Sequence, residues 1–243
     1  DLLWVNAAAA PQAGMVFKAI YFLTGFGHEA VMVFFVLSGF WISAAIDRRQ
    51  DSPDFWHGYL IDRMSRLLVV LVPALLIGGA MDAAGAFGLG GPLYFGNTGA
   101  ASLQESAAAH LSGATFLGNL AFLQSLAVPA FGSNGPLWSL AYEFWYYLWY
   151  PALLLAFKRQ RLNIALLSLA VGIAWPELIP GFAVWLMGSA IYHADSRNIG
   201  QRLFTKGRAL SLFVCAVAVW AAAMALSRMA MLPSATADLA VGF

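Results

Sequence analysis

From Gly132 to Phe157 the chain carries a single charged side chain, Glu143. A helix over that stretch is long enough to cross a bilayer, which takes about 20 mostly apolar residues. At that depth no water is available to the backbone, so a spanning segment must satisfy its own hydrogen bonds, as a helix does. The rest of the chain has the same character. It is 61% hydrophobic and 10% charged, with a mean hydropathy of +0.73, against about 25% charged residues in a soluble domain. The expected fold is therefore all-α: a polytopic transmembrane helix bundle of about six spans, with one re-entrant or interfacial segment, in a single domain over residues 1–243.

Apolar runs place the spans at Ala30–Ile46, Leu67–Gly85, Pro136–Phe157, Leu162–Trp175, Leu178–His193 and Ala209–Leu226. The fourth and fifth are short and broken by Pro176 and Pro180, so a helical hairpin dipping into the membrane is an alternative for them. The basic residues fall in clusters that test this order. Arg48, Arg49, Arg63 and Arg66 follow the first span, Lys158, Arg159 and Arg161 the third, and Arg197, Arg202, Lys206 and Arg208 the fifth, while residues 86–136 contain no Lys or Arg. Cytoplasmic loops carry the Lys/Arg excess, and the pattern alternates correctly if residues 1–27 lie outside. A full crossing by the apolar stretch Thr115–Ala130 would put the 158–161 cluster outside, so that stretch is expected to be re-entrant or interfacial.

The net charge of +1 gives no footing for a nucleic-acid partner, and the lone Cys215 excludes an internal disulfide or a cysteine metal site. No His pair has metal-ligand spacing. There is no glycine-rich phosphate loop and no GxSxG elbow.

An ionisable group at bilayer depth costs roughly 2.5–3.5 kcal/mol and marks a functional site by default. At about 100° per residue, Ser139, Glu143, Tyr146 and Tyr150 form a narrow polar stripe. An apolar side (Leu137, Leu140, Phe144, Leu148) and an aromatic side (Trp138, Tyr142, Trp145, Trp149) flank it. Ser139 and Tyr146 lie within one turn of the acid and are candidate hydrogen-bond partners. The plainer reading makes Glu143 a counter-ion to an arginine on a neighbouring helix and the aromatic side a core or interfacial belt.

Elsewhere, Ser38-Gly39 interrupts a run of bulky residues. Gly39 is expected to let helices approach closely, and Ser38 either packs or offers its hydroxyl to a substrate. Ser52 and Pro53 read as the N-cap and first residue of the next helix. Arg63 and Arg66, one turn apart, suit either bidentate anion binding or ordinary anchoring at the inner surface. His28 adjoins Glu29, but neighbouring side chains diverge on a helix. His57, His110 and His193 are expected in loop or interfacial positions, in contact with water.

Three segments together resemble the integral-membrane acyltransferase family 3: Gly27–Ile46 with FFVLSGF, Phe55–Pro73 with an aromatic and then RxxRL, and Leu137–Pro151 with WSLxxExxYYxxxP. The resemblance implies an enzyme moving an acyl group, often acetyl, from acyl-CoA to a carbohydrate or glycolipid hydroxyl in the bacterial inner (plasma) membrane. Acyl-CoA would be a co-substrate, with no tightly bound cofactor. Glu143, Ser38, Arg63, Arg66 and Trp138 fall on family-pattern positions. Family members usually begin with a helix bearing an Arg and then a His. Residues 1–27 contain neither, so the expectation is a chain that lacks its first helix, with His28 as the alternative catalytic histidine. From another class, a proton-coupled transporter with Glu143 as its relay is the rival reading.

Overall fold

The computed structural model describes residues 27–52, 54–89, 92–95, 107–159 and 162–197. Among them the regular structure is helical: α1 (Gly27–Arg49), α2 (Phe55–Ala83), α3 (Gly113–Leu120), α4 (Trp138–Arg159), α5 (Leu162–Ala174) and α6 (Leu178–Ser196). A π-turn at Ala84–Gly88 continues α2, and a 3-10 turn at Gly135–Leu137 leads into α4. The only strand-like pairing described is an isolated bridge between Gln124 and Val128. The expected span Ala209–Leu226 lies outside the described residues.

Among the described residues two helices, Gly27–Arg49 and Phe55–Gly88, are both long and apolar enough to cross a membrane. α1 opens with Glu29 in its first turn and closes on Arg48 and Arg49, charges that suit the helix dipole at each end. α2 starts later than its Ser52-Pro53 signal suggests. The Phe55 N–H bonds the Ser52 carbonyl at 3.2 Å in a turn, and helical geometry begins at Phe55. In α6 the third residue is Pro180, where no N–H is needed for the helical ladder, so the proline is accommodated.

The described residues divide into two compact units, one over Trp56–Trp145 and the other over Gly27–Phe55 with the chain from Tyr146 onward. α4 contributes its first turns to one and the remainder to the other.

In the first unit the chain between α2 and α4 is tied down by side chains bonding to backbone. Ser112 caps α3 by accepting from the Thr115 N–H at 3.1 Å. The buried Asn119 amide donates to the Thr115 and Pro129 carbonyls and accepts from the Phe131 N–H. Gln124, fully buried, donates to the Leu137 carbonyl at 3.0 Å, and the Trp145 indole donates to the Phe122 carbonyl at 3.1 Å. Phe122 also stacks on Phe144 at 4.5 Å. These bonds hold Phe122 and Ser125 in left-handed backbone (φ 58° and 62°), a conformation costing L-residues about 1–2 kcal/mol each. The segment expected at Thr115–Ala130 is thus an eight-residue helix followed by turns. At 1.5 Å per residue α3 reaches about 12 Å, well short of a bilayer core of about 30 Å.

Asp82, in the last turn of α2, is 4% exposed and accepts from both the backbone N–H (2.7 Å) and the hydroxyl (2.8 Å) of Ser133. Gly132 stands beside it at φ 64°, where a Cβ would strike the carboxylate. Asp82→Ala is expected to lower the thermal midpoint of the detergent-solubilised protein. The loss corresponds to about 1.5–3 kcal/mol per bond to a charged group; an unchanged melting curve would show that the clamp is not needed.

In the second unit α1, α4 and α6 run parallel. Phe35, Ser38 and Ser43 of α1 meet Tyr146, Tyr147 and Tyr150 of α4 in that order. Gly39, Ser43 and Asp47 likewise align with Trp185, Ser189 and Tyr192 of α6. The two helix backbones touch: a Cβ on Gly39 would run into the Trp185 carbonyl, and one on Gly188 into the Val36 carbonyl. Small residues at such a seam allow the close packing that drives association in lipid. Around it Trp149 stacks on Phe182 at 4.4 Å, and Trp185, fully buried, packs against Tyr150 at 4.7 Å.

Candidate functional site

Glu143 lies in the second turn of α4 and is 5% exposed. The carboxyl is therefore withdrawn from the surface by its own helix and the packing around it. Before it on α4, Trp138 and Ser139 are half-buried. Trp138 meets Tyr142 edge to face at 5.2 Å. The Ser139 hydroxyl donates to the Pro136 carbonyl at 3.0 Å, and the Tyr146 hydroxyl donates to the Leu178 carbonyl at 2.8 Å. A hydroxyl has one proton to give, and each of these two has a backbone carbonyl within reach of it.

The two arginines of α2 differ in setting. Arg63 is half-buried, with its guanidinium 5.7 Å from the centroid of the Tyr59 ring, whereas Arg66 is exposed. A cation over an aromatic face is attracted to it, so Arg63 has an aromatic neighbour that favours one placement of its guanidinium. His28, the second residue of α1, is exposed, and Glu29 beside it is 6% exposed. Ser38 is buried within α1, and its hydroxyl stands 3.5 Å from the Tyr147 phenol. Gly39 has the packing role expected of it, against Trp185. Among the described residues no three His, Cys, Asp or Glu side chains gather at one point.

Sequence reasoning missed a buried polar cluster in the second unit. The phenol of Tyr150 (6% exposed) receives the Ser189 hydroxyl at 2.7 Å and the Ser43 hydroxyl at 3.0 Å, and stands 3.2 Å from His193 Nε2. Three helices contribute to it. His193 is therefore not a loop residue in water: it is half-buried in the last turn of α6, with its ring against the interior of the unit. Tyr150 is part of the polar stripe on α4. The corresponding signal on α6 is the i, i+4 pair Ser189 and His193, which places two polar groups on one face of an apolar helix.

The first unit offers a buried carboxyl, Glu143, and a guanidinium beside an aromatic ring, Arg63; the second, taken by itself, offers a hydroxyl–imidazole cluster. No curated protein and no solved structure matches the chain significantly. The family model described as "Acyltransferase domain" matches residues 6–240. With nearly its whole length matched and FFVLSGF, RMSRL and WSLAYE in order along it, the chain belongs to acyltransferase family 3 and is an acyltransferase.

Proposed function

We propose that the protein is a membrane-embedded O-acyltransferase that moves an acyl group, acetyl in the first instance, from acyl-CoA to a hydroxyl of a carbohydrate or glycolipid. The observation that carries the reading is Glu143: a carboxyl 5% exposed on a helix of membrane-spanning length, inside the WSLxxE segment. Such a group has little use in packing, whereas an acceptor hydroxyl must lose a proton as the ester forms. In this reading Glu143 takes that proton or orients its carrier, with His28 as the candidate histidine. Arg63 and Arg66 hold the donor's phosphates, and Ser38, Trp138, Ser139 and Tyr146 line the substrate path.

The six-span topology is part of the same proposal. Parallel α1, α4 and α6 fit an order in which α2 crosses once between α1 and α4, and α5 once between α4 and α6. The stretch 115–130 then returns to the side it left. All three parallel helices lead into a basic cluster, which supports the reading that this end, with the acyl-CoA donor, faces the cytoplasmic side of a bacterial inner membrane.

The test is release of free CoA thiol by the full-length protein reconstituted in lipid with acetyl-CoA and a panel of carbohydrate and glycolipid acceptors. Acceptor-dependent thiol release is the expected result. Proton-coupled uptake of a solute with no thiol released would make the protein a transporter and overturn the reading.

A further inference from the structure

The Tyr150 cluster has a donor count that can be completed. A phenol has one proton and accepts two hydrogen bonds. With Ser189 and Ser43 both donating to it (2.7 and 3.0 Å), its own proton has one destination, His193 Nε2 at 3.2 Å. That arrangement requires a neutral imidazole carrying its proton on Nδ1. Ser43, however, has two acceptors in reach for one proton: the Tyr150 phenol and the carbonyl of Gly39, at 2.8 Å. A second arrangement is therefore also fully bonded. His193, gaining one proton, donates from Nε2 to the phenol; the phenol turns its proton toward Ser43 Oγ; and Ser43 turns its proton to the Gly39 carbonyl. Ser189 continues to donate to the phenol. One N–H bond forms, the proton comes from water at the half-buried imidazole, and every other change is a hydroxyl rotation.

From this geometry we infer that His193 and Tyr150 are positioning residues for the acyltransfer reaction: the protonation of His193 is relayed through Tyr150 to Ser43 and sets the course of α1 at Ser38-Gly39. A serine that bonds the carbonyl four residues back tends to bend its helix. The carbonyl concerned is that of Gly39, whose Cα faces the Trp185 carbonyl at one of the two close backbone approaches of the α1–α6 seam. A small bend there moves Ser38, one residue away, relative to Tyr147. An unperturbed histidine changes charge between pH 5 and 8, which sets the range over which the profile is to be scanned. Among the described residues, the charged and titratable groups on the three helices near this end are as follows. On α6 they are Tyr192, whose ring lies 5.2 Å from His193, and Asp195, with Arg197 just past its end. On α1 they are Asp47, which accepts from the Tyr192 hydroxyl at 3.1 Å, and Arg48 and Arg49. On α4 the facing group is Tyr150 itself. The Asp47–Tyr192 bond lies outside the phenol cluster, so it remains in place in both arrangements.

Two measurements on the reconstituted full-length protein test this. The first is the pH profile of acyl transfer in the wild type and in His193→Gln and Tyr150→Phe. The expected result is a step of roughly fivefold, the scale of a single hydrogen bond, that disappears in both variants while catalysis itself persists. The second is pH-difference infrared spectroscopy of the tyrosine C–O stretch, which reports whether a phenol donates or accepts. A band shift at acid pH is expected in the wild type and absent in His193→Gln. If the variants keep the wild-type profile, or if the band is the same on both sides of the titration, the relay is overturned and the cluster is structural only. Should one variant fail to fold, Ser43→Ala supplies the same comparison, since it removes the proton that bonds Gly39 and must also flatten the step.

Discussion

Replacing Glu143 by Gln is expected to lower the rate of acyl transfer by roughly 10²–10⁴-fold, the range that a positioned general acid or base contributes. Glutamine keeps the size and hydrogen-bonding reach of the side chain but cannot take up a proton. Because the residue is 5% exposed, no solvent base has direct access to replace it. The decisive readout is single-turnover transfer from acetyl-CoA together with KM for the donor. A proton-handling role depresses kcat and leaves donor KM nearly unchanged, whereas a role in holding the helix in place disturbs both. Full transfer by Glu143→Gln at normal membrane expression would remove this carboxyl from the chemistry.

Gly188→Val is expected to destabilise the second unit by about 3 kcal/mol, at the upper end of what overpacking costs. The added Cβ meets the Val36 carbonyl and the Phe40 N–H, which belong to the backbone of α1 and cannot turn aside as a side chain would. α1 and α6 must then separate, which carries Ser43 away from Ser189 and dismantles the Tyr150 cluster. Gly58 provides the control. It sits in the first turns of α2 with nothing within 4 Å of its added Cβ, so Gly58→Ala is expected to be neutral or stabilising by about 0.5–1 kcal/mol. Thermal unfolding in detergent compares the two. Equal midpoints for Gly188→Val and the wild type would mean that the seam yields more easily than backbone contact allows.

Much of the helical layout was legible in the chain alone, because long apolar runs between charged or proline-bearing stretches favour helices. The expected segments Leu162–Trp175 and Leu178–His193 correspond to α5 and α6, and Ala30–Ile46 lies within α1. Hydropathy marked only part of α2, from Leu67, since its first turns carry Asp62, Arg63 and Arg66 and do not belong to an apolar run. The chain between α2 and α4 was hidden for a different reason. It is held by Asp82, Asn119 and Gln124 bonding to backbone up to fifty-one residues away, and its left-handed positions are Phe122 and Ser125 rather than glycines. Such a turn leaves no local signature.

The sequence by itself determined that the chain is helical and apolar, placed one carboxylate within a long uncharged stretch, and carried the three motifs by which the family is recognised. These are properties of composition, period and order along one strand of chain. Tertiary structure alone decided which polar groups share protons. It brought the Tyr146 hydroxyl to the Leu178 carbonyl, and it gathered Ser43, Tyr150, Ser189 and His193 from three helices around one phenol. The reason is that a hydrogen bond depends on positions to within a few tenths of an ångström. In a bundle those positions are set by how closely two backbones meet, here at Gly39 and Gly188, and not by any residue's place in the sequence.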